Sequence, residues 1–174
     1  MNDFSTRPAA DEAAEYYFKY INAVADGDIL ATLDQQRHDT VALLQSVSES
    51  RAGYRYEPEK WSIKELVGHI NDSERLFASR ALWFARSLPG ALPSFDQEIA
   101  VKAAGSDELT LAALTHEFDA VRGATLDLFR NLGSEAWSRD GIASDYRFTV
   151  RALAWIIAGH VIHHSRVLRE RYLG

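Results

Sequence analysis

Four stretches of this chain place apolar residues at helical spacing between helix-start and helix-stop signals. A sequence patterned this way has few means of burying its apolar faces other than packing helix on helix. The first stretch follows Asp28, an N-cap residue type, and carries Leu30, Leu33, Val41, Leu44 and Val47 on one face. The second opens on Ser62-Ile63-Lys64-Glu65, a capping box in which serine hydroxyl and glutamate carboxylate each satisfy a first-turn N–H, with Trp61 and Leu66 placed as a hydrophobic staple. Its inner stripe runs Leu66, His69, Ile70, Ser73, Leu76, Phe77, Arg80 and Phe84. The third, from about Asp107 to Leu132, has the stripe Leu111, Leu114, Phe118, Val121, Thr125, Leu128 and Leu132, and Gly133 closes it. The fourth begins after Thr149 as N-cap and shows Val150, Leu153, Ile157, Val161, His164 and Leu168 on one face. Arg166, Arg169 and Arg171 lie toward its C-terminal end, where the helix dipole favours cations.

A shorter aromatic helix is expected from about Asp11 to Ala25, with Tyr16, Tyr17, Phe18, Tyr20 and Ile21, ending near Gly27. Arg51 to Lys60, with Gly53 and Pro58, reads as a connection. Pro89, Gly90 and Pro93 open another, of about twenty residues, that holds Phe95-Asp96-Gln97. A polar connection with Trp137 and Gly141 precedes the last helix, and no segment reads as a strand. The expected fold is all-α: a four-helix bundle with an additional short N-terminal helix, one domain over residues 1–174 with its core over about 28–173. The long connection between the second and third long helices admits a crossover, so the topology stays open.

The formal net charge of −6 and the lack of a Lys/Arg-rich run argue against a nucleic-acid partner, because phosphate binding needs a basic surface. With no cysteine, the chain has no disulfide, thiolate ligand or thiol nucleophile, and soft-metal chemistry must run through histidine and carboxylate. Met1 to Ala10 lacks a basic segment followed by an apolar one, and no apolar run approaches the roughly 18 residues of a membrane span, so a cytoplasmic protein without membrane contact is expected.

Helical-wheel geometry sorts the six histidines. His38 and His116 lie far from their stripes, and His163 is about 100° off the centre of its own. His69 faces inward, and His160 and His164 project only about 40° apart from one face, one turn above the other. The depths of His69 and the pair along their helices differ by roughly 4 to 11 Å, which a small axial shift closes. Three neutral imidazoles brought together form the ligand set of catalytic zinc sites, which keep a position open. From spacing alone, core histidines hydrogen-bonded to backbone or to Ser73 and Ser165 are an equal alternative. His116-Glu117 lacks the second histidine of H-E-x-x-H, no Glu-x-x-His pair occurs, and G-x-S-x-G is absent. Asp72, one turn beyond His69, and Asp96, in the long connection, are candidate catalytic or orienting carboxylates. A salt-bridged surface role for Asp72 and an N-cap role for Asp96 are the structural alternatives.

The strings Trp61-Ser62-Ile63-Lys64-Glu65, His69-Ile70, Asp72-Ser73-Glu74-Arg75, Phe77 and Arg80-Ala81-Leu82 resemble the DinB/YfiT-like superfamily. So do Pro93, Phe95-Asp96-Gln97, Val150-Arg151-Ala152-Leu153, Ala158-Gly159-His160, His163-His164 and Leu168-Arg169-Glu170-Arg171-Tyr172, and the likeness runs from about Leu33 to the C-terminus. The resemblance implies a four-helix bundle that holds a divalent metal, zinc or nickel, through three histidines matching His69, His160 and His164. It also implies a metal-dependent S-transferase that uses a low-molecular-weight thiol on a small-molecule substrate. The alternatives are a metal-dependent hydrolase and a non-catalytic metal-binding stress-response protein. The aromatic first helix, or exposed parts of Trp83 and Phe84, offers a homodimer contact.

Overall fold

The computed structural model describes residues 5–174, so the first four residues of the Met1 to Ala10 stretch lie outside the described residues. The described residues form six α-helices in order: α1 (Phe18–Ile21), α2 (Ile29–Gln45), α3 (Ile63–Ala85), α4 (Gln97–Ala104), α5 (Leu111–Arg130) and α6 (Val150–Val167). The last is prolonged by a π-helical turn, Leu168–Leu173. The side chain of Asp28 accepts from the amides of Leu30 and Ala31. Ser62 and Glu65 form both halves of the capping box, and Thr149 accepts from the amide of Ala152.

The structure departs from the sequence reading in four places. The polar connection holds an antiparallel hairpin, β1 (Asp140–Ala143) and β2 (Tyr146–Thr149), in register from Asp140 opposite Thr149 to Ala143 opposite Tyr146. Its two-residue turn, Ser144-Asp145, has both φ values positive, at 52° and 65°. That is the handedness a tight hairpin needs, reached here without the glycine that usually signals it. The long connection contains α4. The N-terminal helix contracts to a 3₁₀ turn at Glu15–Tyr17 followed by α1. Finally, α5 starts at its Thr110 cap rather than near Asp107, because Asp107 lies in a 3₁₀ turn and accepts the hydroxyl proton of Ser62 at 2.5 Å.

Helices α2 and α3, adjacent in sequence, sit across the diagonal of the bundle: α2 packs on α5 and α6, and α3 on α5 and α6. Arg37 pairs with Asp119, and Asp34 with Arg130, so α2 and α5 run antiparallel. Asn71 and Arg75 reach Glu117, and Glu74 reaches Arg122, so α3 and α5 run parallel. Parallel neighbours require a return across the length of the bundle. The chain from 86 to 110 makes it, ending with Ser106 against Gly68, where a Cβ would collide with the Ser106 hydroxyl. The hairpin lies over the far end of α3, and Gly141 has no side chain where one would strike the Phe84 ring. Phe84 is therefore core, not surface, and is withdrawn as a dimer contact.

Two apolar clusters fill the interior. One gathers α1, the C-terminal half of α3 and Val150–Ala158, and the other the N-terminal half of α3, the start of α5, Val161 and Leu168. Between them, at His69 on α3 and His160 on α6, the core turns polar. No helix among the described residues is long and apolar enough to cross a membrane.

Candidate metal centre

Side by side, α3 and α6 bring three imidazoles to one point. The Nε2 atom of His160 lies 3.1 Å from Nε2 of His69 and 3.0 Å from Nε2 of His164. One ligand atom from each lies within 4.8 Å of the other two, and all three residues are buried. The wheel placed the pair on α6 one turn apart, and the depth offset with His69 is absorbed by the packing of the two helices.

A single Nε2 carries either a proton or a lone pair, so that of His160 can serve one of its two close neighbours well but not both. The Nδ1 atom of His164 is buried without a partner, and that of His69 has only the Ser73 hydroxyl, at 3.4 Å. A cation resolves the crowding. Nitrogens at about 2.0–2.1 Å from a tetrahedral zinc stand about 3.3 Å from one another, within a few tenths of an ångström of the two spacings at His160. The donor set fits a divalent ion of borderline softness, and a three-nitrogen set leaves coordination free for a further ligand.

The electrostatics favour the ligand form. Burial pushes His69 down to about 4 and His164 down to about 2, with the neighbouring histidines adding to the effect. His160 is held well below its ordinary value, by burial first and then by His164 and His69. All three are neutral imidazoles at physiological pH, with lone pairs that protons do not occupy.

Aromatic rings enclose the cluster. Trp61 lies 4.7 Å from His69, and Tyr20 lies 5.4 Å from His160, centroid to centroid. Tyr20 arrives there because α1 rests directly on the backbone of α6 at Gly159, where any Cβ would land on the Tyr20 carbonyl. His163 is half-buried with its ring 4.8 Å from that of His164, while His38 and His116 are exposed.

The structure brings together the three histidines and brings neither carboxylate among them. Asp72 stands half-exposed, 3.6 Å from Arg75, and burial raises its carboxyl above the usual range. Asp96 is exposed and caps α4, accepting from the amides of Glu98 and Ile99.

Two cavities reach the cluster. One, of about 260 Å³, touches His69 and His160 and is walled by Tyr17, Phe77, Arg80 and Phe95; the other, of about 280 Å³, touches His164 and is walled by Tyr56, Trp61 and Tyr172. A larger cavity of about 460 Å³ lies between α2 and α5 and touches none of the three. Sequence reasoning placed Arg80 on the inner stripe without giving it a role and missed Ser144, which the hairpin carries to the first cavity.

Known proteins match at the levels of family and fold. The family model of the DinB superfamily matches residues 32–168. YfiT from Bacillus subtilis, a probable metal-dependent hydrolase with an unusual four-helix bundle topology, superposes with a TM-score of 0.64 at 16% identity over 98% of this chain and 95% of that one. A mycothiol-dependent maleylpyruvate isomerase superposes with a TM-score of 0.69 at 16% identity over 84% of this chain, and the match spans 61% of the isomerase. No functionally curated protein matches the chain.

Proposed function

The chain belongs to the DinB superfamily. From that premise we propose that His69, His160 and His164 hold a divalent ion, zinc or nickel, and that the protein is a metal-dependent S-transferase joining a low-molecular-weight thiol to a small electrophile. The convergence of three neutral Nε2 atoms on one point carries this proposal. When bound, the ion supplies Lewis acidity, lowering the pKa of a thiol or water held beside it.

The chain's own residues supply the rest. With no cysteine, it leaves the sulfur to a co-substrate. Two separate cavities at the cluster suit two reactants, one on each side. The rings of Tyr20, Phe77 and Trp61 limit water at the reacting atoms. In the transfer, the thiol sulfur bonds to the electrophilic carbon, the leaving group departs with its electron pair, and the thiol proton passes to solvent. The mycothiol dependence of the similar isomerase supports a thiol partner.

Hydrolysis is the second reading, in which water takes the place of the thiol. The likeness to YfiT, which spans nearly the whole of both chains, favours it.

Elemental mass spectrometry of the purified protein beside the triple variant His69→Ala/His160→Ala/His164→Ala tests the centre. About one equivalent of metal in the first and none in the second is expected. No uptake by either after exposure to zinc and nickel overturns it. Turnover of a model electrophile that needs added thiol and disappears in His164→Ala supports transfer, whereas turnover without thiol supports hydrolysis.

A further inference from the structure

Three arginines are drawn into this fold, and two of them are neutralised there. Arg122, fully buried, makes a bidentate pair with Glu74 at 2.7 and 2.8 Å. Arg151 pairs with Glu12, itself buried, at 2.6 Å. Arg80 is the exception. Its residue is 2% exposed, yet no carboxylate pairs with it among the described residues. One terminal nitrogen donates to the Pro93 carbonyl at 2.8 Å and to the Ser144 hydroxyl at 3.0 Å, the Tyr17 hydroxyl also hydrogen-bonds to the guanidinium, and the buried Nε has no partner. A buried guanidinium without a counter-charge is expensive to keep, and a planar fork with free donors matches a carboxylate.

Its surroundings point the same way. Arg80 lines the cavity that touches His69 and His160, and no Asp or Glu lines that cavity. Gln97, Tyr17 and the Ser144 hydroxyl add neutral polar groups to the wall, and Phe77 and Phe95 add apolar surface. Holding the crossover at Pro93, the hairpin at Ser144 and the Tyr17 hydroxyl uses neutral groups only. A purely structural clamp does not account for the orphaned Nε or for the missing acid.

We propose that this cavity takes a small carboxylic acid, with Arg80 binding the carboxylate and the rest of the molecule directed toward the three histidines. The idea rests on the metal-centre reading for its reaction but not for its binding. Burial lowers the guanidinium pKa from its ordinary value and the interaction with Tyr17 only partly offsets it, which agrees with a cation that lacks a carboxylate. The carboxylate belongs either to the electrophile or to the thiol.

The test follows the Arg80 Nε–H resonance in ¹⁵N-labelled protein stripped of metal with chelator, so that no ion competes for the probe. The resonance is assigned by its loss in Arg80→Lys. Benzoate should shift it saturably, and benzamide, the uncharged isostere, should not. Affinity for benzoate should fall about tenfold or more in Arg80→Lys and Arg80→Gln. N-acetylcysteine is titrated alongside, and the tighter of the two acids assigns the carboxylate to electrophile or thiol. Equal responses to benzoate and benzamide, no response to either, or undiminished benzoate binding by a folded Arg80→Gln overturns the proposal. If the Arg80 variants fail to fold, the resonance is assigned by its through-space contacts to Pro93 and Ser144 protons, and the benzoate–benzamide contrast in the unaltered protein decides. The triple histidine variant keeps the two ideas separable: it should lose metal and still bind benzoate.

Discussion

Acidification should destabilise the metal-free protein steeply, and the source should be the buried histidines. An imidazole in an unfolded chain titrates near 6.5, whereas burial holds His69 at about 4 and His164 at about 2 in the fold. Because the folded values lie below the unfolded one, the unfolded state binds more protons in the window between them, so stability is lost as pH falls below about 6.5. At pH 5 the unfolded state gains about 2 kcal/mol per histidine, and any folded-state group at 4 or lower recovers less than about 0.1 kcal/mol of that. The figure is insensitive to how far below 4 the group sits. His69 and His164 together contribute about 4 kcal/mol, a large share of the roughly 5–15 kcal/mol that holds a domain folded. His160 acts in the same direction. The assay is urea unfolding in chelator at pH 7.5, 6 and 5. With a slope of about 2 kcal/mol per molar urea, the midpoint should fall by about 2 M or more between the first and last. His69→Leu/His164→Leu, which removes both titrating groups, should lose much less. Equal losses in the two proteins would refute buried neutral imidazoles as the origin.

Further outcomes follow from the packing. Gly159→Ala gains about 1 kcal/mol of helix propensity, but overpacking against the Tyr20 carbonyl should outweigh it, giving a net lower melting temperature and shifted His160 imidazole resonances; a higher melting temperature would contradict the seating of α1. Glu74→Ala, which strands Arg122, should cost about 3–5 kcal/mol in urea unfolding, and Glu74→Ala/Arg122→Met should cost less than the single change. Asp96→Ala should lose about 1 kcal/mol as the α4 cap goes, with metal stoichiometry unchanged by elemental analysis. A loss of metal would instead return Asp96 to the centre.

The parts legible in the sequence are those governed by local geometry. The Ser62 capping box, the Asp28 and Thr149 caps and the inward direction of His69, His160 and His164 follow from a 3.6-residue repeat that needs no knowledge of neighbours. Elements with weak local signals were not legible. The hairpin turns on Ser144-Asp145 without glycine, and α4 is eight residues long with Val101 its only buried side chain. Long-range matters were hidden as well. Gly68 and Gly159 are small because Ser106 and the Tyr20 backbone press on them, and neither partner is near in sequence. Arg80 reads as inward-facing at its stripe position, but only the fold shows that no acid follows it in.

Placement on the scaffold separates the tasks of this site. The three histidines stand on α3 and α6, the adjoining long helices whose apolar residues fill both core clusters, so the position of the donors is fixed by the same packing that holds the bundle together. Half of the residues that line the first cavity come from elsewhere: Tyr16, Tyr17 and Tyr20 from the N-terminal turn and α1, Phe95 and Gln97 from the crossover, Ser144 from the hairpin. Of these, Tyr16 and Gln97 are exposed and Phe95 is half-buried, so they tolerate change that the packed helices do not. Substitutions at Phe95, Gln97 or Tyr16 should therefore redirect which acid or electrophile enters while leaving metal affinity intact. Arg80 stands between the two regimes: its backbone belongs to α3, while its guanidinium reaches the Pro93 carbonyl of the crossover and the Ser144 hydroxyl of the hairpin. A ligand that pairs with it would therefore sit where the crossover, the hairpin and the helix that carries His69 meet, linking what the walls select to where the donors stand.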